Sequence, residues 1–138
     1  MKEQLKLLLI HDEAEVNHAY QDSEGYWTIG VGHLIDKRKG GKISHAAIMF
    51  ILDEDIEDVL FDCRSNFPWF DGLTDDRKVV IASMVFNLGL AGFKGFKKTI
   101  ALIQAGDYYK ASYEMLRSKW ADQVGIRAIR LSEMMRNG

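Results

Sequence analysis

Residues 12–33 read DEAEVNHAYQDSEGYWTIGVGH, and this stretch decides the fold. Glu13 stands where an N-terminal helix should end, whereas Asp22 and Thr28 stand on a glycine-rich hairpin that folds back towards that helix. Acid/base cleavage of a glycosidic bond requires two carboxyl groups on different elements that face each other across a gap. The hypothesis to test is that Glu13 and Asp22 form such a pair.

The elements on either side of this gap follow from local patterns. Leu5, Leu8 and Leu9 have the i, i+3, i+4 spacing of one buried stripe, which predicts an amphipathic helix over residues 2–12. Turn formers at 22–25 precede an aromatic and β-branched run at 26–31, which predicts a β-hairpin. Gly30 and Gly32 would weaken its second strand, so they predict a bulge or a close backbone approach, for example by a ligand.

The remainder of the chain is predicted to be mostly helical. Ser44 is a good N-cap for a helix to about residue 67, which Pro68 ends, and Ile43 is expected to begin or end a short edge strand. Residues 36–42 form a predicted polar turn. A short helix or a turn is expected at 69–70. Further helices are expected at about 74–88, 97–105, 107–118 and 125–135, with Gly106 as a C-terminal cap. The helix at 74–88 is apolar on nearly every face, as in the centre of a bundle.

Composition narrows the class of protein. The 138 residues fit one domain, and 47% apolar and 28% charged residues are typical of a globular chain. A net charge of -2 gives no overall attraction to nucleic acid or anionic membranes. The single Cys63 excludes an internal disulfide and is expected to be a buried thiol within a helix. The apolar run at 7–10 is too short for a signal peptide or a membrane span.

Each candidate residue also has a simpler interpretation. Glu13 alone would be a solvated charge at a helix end, Asp22 would cap a turn, and Thr28 would be a β-branched strand residue. Their joint placement favours a catalytic role, because Glu13 and Asp22 are nine positions apart across a change from helix to hairpin and Thr28 lies on the return strand.

The chain resembles the lysozymes of the T-even phages and related phage endolysins. The resemblance rests on Asp12-Glu13 and on the pattern Y-x-D-x-E-G-Y-x-T-I-G-x-G-H that begins at Tyr20. It continues at M-V-F-N-x-G from Met84, at G-x-x-G-F from Gly92, and at S-K-W from Ser118 with R-A-x-R from Arg127. It implies an α+β, mostly helical two-lobe fold in a single domain. The hairpin lobe covers about 12–45, and a connecting helix follows over about 44–67. The helical lobe covers about 68–138 and includes helix 2–12. The cleft lies between the two lobes.

The resemblance implies a muramidase that cleaves the β-1,4 bond between N-acetylmuramic acid and N-acetylglucosamine of peptidoglycan. Glu13, Asp22 and Thr28 match its catalytic triad. Glu13 would need to be protonated, which partial burial favours, and Asp22 would stay ionised and, with Thr28, direct a water to the opposite face of the sugar. Inversion, which the family implies, requires carboxyl groups about 6.5–9.5 Å apart.

Other residues receive binding or structural roles. Phe86 and Asn87 match the family's cleft-facing segment and, with Gly30 and Gly32, are candidates for contacts to the glycan. Four further residues have structural roles in two predicted pairs: His33 with Asp55, and Glu24 with a basic residue of the helical lobe at Lys119. The family usually has arginine at that last position, and lysine lacks the bidentate fork of arginine.

No cofactor and no metal site are expected. The four histidines lack zinc-ligand spacing, and Gly30-x-Gly32 is followed by Ile35 where a dinucleotide-binding motif needs a third glycine. The expected partner is the peptidoglycan glycan strand. Binding of nucleic acid and stable insertion into a membrane are not expected, and the protein is expected to be a monomer. By family analogy, the protein is made in the host cytoplasm and reaches the cell wall in the periplasm after a holin permeabilises the membrane.

Two alternative functions stay open. A lytic transglycosylase can dispense with the water-directing pair, so retention of Asp22 and Thr28 argues against it. A binding module or virion component would hold the glycan without cutting it.

Overall fold

The computed structural model describes residues 1–35 and 42–138. These residues form two compact units, Met1–Ile51 and Leu52–Gly138. Within the described ranges, the chain has seven α-helices and one three-stranded antiparallel sheet. The predicted class, α+β and mostly helical, is confirmed.

The first unit contains helix α1 at Lys2–Glu13 and strands β1 at Val16–Gln21, β2 at Trp27–Gly30 and β3 at His33–Leu34, in the sheet order β1-β2-β3. The predicted hairpin is confirmed, with Tyr20 paired to Thr28. Its register shifts between the pairs Val16–Gly30 and Tyr20–Thr28, so the extra residues lie on β1 and not on the glycine-containing strand. The third strand follows directly on the second, and the prediction of an edge strand at Ile43 is wrong.

Helix α1 forms over the predicted residues, but its expected buried stripe is wrong. None of its residues is buried, and Leu5, Leu8 and Leu9 remain 42–55% exposed. Leucine, lysine, glutamate and glutamine are strong helix formers, so local propensity explains the helix without burial. Its assignment to the helical lobe stays a prediction.

Helix α2 runs over His45–Asn66, close to the predicted bounds. The Ser44 hydroxyl accepts a hydrogen bond from the Ala47 amide at 3.1 Å, which confirms Ser44 as the N-cap. The predicted polar turn lies, apart from Lys42, outside the described residues.

The second unit continues with a 3₁₀ helix at Phe70–Gly72 and five α-helices: α3 at Asp75–Lys94, α4 at Lys97–Gln104, α5 at Tyr108–Leu116, α6 at Lys119–Val124 and α7 at Ile126–Asn137. Gly89 interrupts α3 with φ 76°, where the predicted helix ended. Gly106, with φ 80°, follows α4 as expected. Helix α6 was not predicted, because Ser118 was assigned to the end of α5. Its hydroxyl instead caps α6 by accepting from the Ala121 amide at 3.1 Å.

A single hydrophobic core holds this unit together. Its largest buried side chains include Phe70, Ile81, Met84 and Phe93, all at 0% exposure. The prediction that residues 74–88 are buried on nearly every face is wrong for Val79 and Phe86, which are 53% and 49% exposed, because only one side of α3 faces this core. No single helix in the described ranges is long and apolar enough to cross a membrane; α3 and α4, bent by 104°, satisfy length and composition only as a pair.

Cys63 is a fully buried thiol in α2, as predicted. Burial, together with the nearby charge of Asp62, raises the pKa of this thiol from 9.0 to about 11. In the unfolded chain the thiol ionises first as pH rises. We therefore expect the stability that Cys63 contributes to be complete below pH 9.0 and to be lost as pH rises to about 11. The loss of unfolding free energy expected from Cys63 over this pH range is about 3 kcal/mol.

Urea unfolding at several pH values measures this loss. The Cys63→Ala variant is the control, since every other ionisable group is common to both proteins. A steeper decrease in the unfolding free energy is expected in the parent protein; parallel curves would contradict the role of Cys63.

Candidate active site

Glu13 is the last residue of α1, and the chain turns sharply after it. Ala14 closes the helix by donating from its amide to the Ile10 carbonyl at 3.1 Å, with φ 65° and ψ 156°. It is the one non-glycine residue with positive φ in the described ranges, a conformation that costs an alanine of order 1–3 kcal/mol. This strain lies directly beside the candidate acid.

The Glu13 carboxyl group is exposed and has no hydrogen bond or ion pair to another described residue. The role of Glu13 as the acid, which partial burial would favour, stays a prediction.

Gly32 lies against Glu13. A Cβ atom at Gly32 would stand 2.9 Å from Oε2 of Glu13, and Gly32 has φ +61°. Glycine suits this position, because other residues avoid this φ and a Cβ atom would displace the carboxyl group. The close approach predicted for the two glycines is thus found at Gly32, where the neighbour is the candidate acid. Gly30 has φ +69° with no atom within 4 Å of its would-be Cβ.

Asp22 organises the turn between β1 and β2. Its Oδ1 accepts hydrogen bonds from the amides of Glu24 at 2.9 Å and Tyr26 at 2.8 Å. The simpler interpretation of Asp22, a turn cap, is therefore correct for one oxygen. Its Oδ2 forms no hydrogen bond with a described residue, so the same turn holds a second oxygen in a fixed direction.

Thr28 is connected to Asp22 through one carbonyl oxygen. The Thr28 hydroxyl donates to the carbonyl of Tyr26 at 3.3 Å, and the Asp22 amide donates to the same carbonyl at 2.8 Å. Thr28 is 5% exposed, and its partner across the sheet is Tyr20. Since its proton is engaged, the hydroxyl oxygen can act as an acceptor. The hairpin thus brings Asp22 and Thr28 together as a unit.

The remaining sequence candidates fall into two groups. Glu24 and His33 are exposed on the hairpin unit, whereas Asp55 and Lys119 are exposed in the helical unit. The pairs His33–Asp55 and Glu24–Lys119 each join residues of different units, and both stay predictions.

In the helical unit, Phe86 and Asn87 lie on the exposed end of the first part of α3. Oδ1 of Asn87 accepts a hydrogen bond from the indole Nε1 of Trp120 at 2.8 Å. This contact fixes the Asn87 amide and leaves its NH₂ group facing away from the indole. Sequence reasoning missed this orienting role of Trp120, because the two residues are 33 positions apart and no local pattern relates them.

Within the hairpin unit, the arrangement offers two chemically different carboxyl groups. Glu13 has no partner in the described ranges and can hand over or take up a proton, whereas Asp22 is held by two amides and lies next to a fixed hydroxyl. Such a division suits acid/base chemistry on a polar substrate.

Comparison with known proteins identifies related chains. A family model described as phage lysozyme matches residues 11–135. The probable T4-type lysozyme 2 of Dictyostelium discoideum is 29% identical over 100% of this chain and 96% of its own length. The SAR-endolysin of Escherichia phage Mu is 30% identical over 95% of this chain and 78% of its own. The pre-baseplate central spike protein of Enterobacteria phage T4 is 26% identical, over 95% of this chain but 27% of its own length.

Proposed function

Since this chain belongs to the phage lysozyme family, we propose that it hydrolyses the β-1,4 bond between N-acetylmuramic acid and N-acetylglucosamine in bacterial peptidoglycan. Membership supports a lysozyme-type, wall-lytic function. The observation that carries the finer proposal is the contrast between Glu13 and Asp22, the first without a partner among described residues and the second fixed by two amides.

In the proposed reaction, Glu13 donates a proton to the leaving glycosidic oxygen. The free oxygen of Asp22 stabilises the positive charge that develops on the sugar. With the acceptor oxygen of Thr28 it also positions a water on the opposite face, and it takes up the proton that this water loses as its oxygen bonds to the anomeric carbon. The result is inversion at the anomeric carbon. Covering of Glu13 by the sugar supplies the desolvation that the free protein lacks, which favours the protonated form of the acid.

Contacts to the glycan are proposed for Phe86, for the NH₂ group of Asn87, and for the backbone at Gly30 and Gly32. An exposed aromatic ring next to an oriented amide combines an apolar surface with a directed donor, as sugar recognition needs. The proposal also includes the two structural pairs, His33–Asp55 and Glu24–Lys119. It further includes a single two-lobe domain in which helix 2–12 joins the helical lobe.

The proposed biological role is lysis of a bacterial host by a phage. Two relatives are named as endolysins, which supports an enzyme that acts on the bacterial cell wall. Release to the periplasm through a holin stays part of the proposal. The relative named as a baseplate spike protein supports a second possibility, that the chain functions as part of a virion. Detection of the protein in purified virions by immunoblot, as opposed to the lysate supernatant, separates the two roles.

Mass spectrometry of digested peptidoglycan tests the reaction. We expect muropeptides with reducing ends, because a directed water is the nucleophile. In ¹⁸O-labelled water these products gain the label. Anhydro ends without label would assign the chain to the transglycosylases, and binding of the glycan without any cleavage would make it a binding module.

A further inference from the structure

Two residues, Ala14 and Glu15, connect the end of α1 to the start of β1. Backbone pairing holds the chain on both sides of this connection. The Ala14 amide donates to the Ile10 carbonyl at 3.1 Å, and Val16 pairs with Gly30 in the sheet. Because so few residues lie between these two anchors, the dihedral angles of Ala14 set the direction in which the end of α1 meets the hairpin.

Ala14 has a backbone conformation that proteins reserve almost entirely for glycine, with φ 65° and ψ 156°. In the described ranges, every other residue with positive φ is a glycine. The Ala14 side chain is exposed, so its methyl group does not fill a core. A strained residue of this kind persists only where the surrounding structure imposes its conformation, and such residues concentrate at active sites.

The strained residue directly follows the candidate acid, whose carboxyl group is held by no polar contact. Glu13 has no hydrogen bond or ion pair with a described residue. Its side chain lies against Gly32, where a Cβ atom would stand 2.9 Å from Oε2 and 3.1 Å from Cγ of Glu13. Gly32 lies between β2 and β3, in the same unit as Asp22 and Thr28. The backbone at the end of α1 therefore determines where the carboxyl group stands relative to these two residues.

We propose that Ala14 is a positioning residue for Glu13. Its methyl group excludes most conformations with positive φ, which confines the turn after α1, and with it the Glu13 carboxyl group, to one arrangement on the hairpin unit. Glycine would adopt the same turn without strain, but it would also reach neighbouring conformations that alanine excludes. The inference rests on the proposed function, because Ala14 acts through the acid and does not itself contact the substrate.

Ala14→Gly should make the protein more stable and less active at the same time. Relief of the strain should raise the melting temperature by about 2–5 °C. The rate constant kcat should fall about ten-fold with KM unchanged, because a slightly displaced catalytic group loses rate without a loss of substrate binding. Thermal unfolding and the release of reducing ends from soluble peptidoglycan glycan strands measure the two effects.

A purely structural role of Ala14 predicts the same rise in melting temperature with an unchanged kcat, and that result would overturn the proposal. A lower melting temperature for Ala14→Gly would also overturn it, since the turn would then carry no strain that glycine relieves.

Ala105→Gly is the matched control. Ala105 closes α4 as Ala14 closes α1, and its amide donates to the Ala101 carbonyl at 3.0 Å. It has φ -77°, an ordinary value for alanine, and lies in the helical unit. Glycine at this position should lower the melting temperature by about 2–4 °C and leave kcat unchanged. An equal loss of kcat in both variants would be a general effect of glycine and would contradict the assignment of Ala14.

A double-mutant cycle with Glu13→Gln tests whether Ala14 acts through the acid. Ala14→Gly should lower kcat in the parent protein and have no further effect in the Glu13→Gln background. The same fold loss in both backgrounds would refute the positioning role. Full activity of Glu13→Gln would refute the acid of the proposed function and this inference with it. An inactive Glu13→Gln together with an unchanged kcat for Ala14→Gly would refute the positioning role alone.

Discussion

Glu13→Gln is expected to reduce peptidoglycan hydrolysis by about 10²–10⁴-fold while leaving the fold and glycan binding intact. Glutamine has the same shape but no proton to donate to the leaving oxygen. Because Glu13 is exposed and has no partner in the described ranges, the change in unfolding free energy should stay within about 0.5 kcal/mol. Turbidity loss of a cell-wall suspension measures the rate, and sedimentation with insoluble peptidoglycan measures binding.

Glu15→Gln is the matched control for charge. Glu15 is also exposed, lies two positions further along the chain and belongs to no proposed site, so this variant should retain full activity. Equal activities of the two variants and the parent protein would show that Glu13 is not the acid. A parallel loss of binding in Glu13→Gln would show instead that Glu13 holds the substrate.

Gly32→Ala is expected to lower activity by about 10²-fold and stability by about 1–2 kcal/mol, through two separate effects. The stability loss follows from φ +61°, which alanine adopts only with strain. The activity loss follows from the contact of the new Cβ with Oε2 of Glu13, which the same geometry places 2.9 Å apart, so that the carboxyl group has to move. Thermal unfolding and turbidity loss measure the two effects.

Gly106→Ala separates strain from contact. Gly106 has φ +80° and no atom within 4 Å of its would-be Cβ, and it lies in the helical unit outside any proposed site. We expect it to lose a similar stability to Gly32→Ala and to keep its activity at a temperature where both variants are folded. A Gly32→Ala enzyme as active as Gly106→Ala would contradict the proposed contact with the acid. Gly30→Ala, with the same sign of φ and no contact, should match both in stability.

Local patterns predicted the elements that carry the site. Turn formers at 22–25 and the β-branched run after them determine the hairpin, and the serine at position 44 determines the start of α2. These predictions succeeded because a turn, a cap and a helical period depend on residues within about four positions of one another. The one helix missed, α6, is the case in which one serine could end one helix or begin the next.

The candidate catalytic residues also came from sequence, through their spacing and the resemblance of residues 12–33 to a known family. The match of a phage lysozyme model to residues 11–135 confirms the family. The individual roles of Glu13, Asp22 and Thr28 stay proposals. Sequence suggested a turn cap and a charge-stabilising carboxylate as alternatives for Asp22, and the hydrogen bonds make them compatible, since one oxygen caps the turn and the other is free.

Sequence by itself therefore determined the hairpin, most helices and the family. Short-range hydrogen bonds and apolar periodicity depend only on residues that are close together in the chain. Only the tertiary structure decided that Gly32 lies against Glu13 and that Trp120 orients Asn87. Each of these contacts joins residues on different elements. Their distance depends on how the chain packs, which no local pattern specifies.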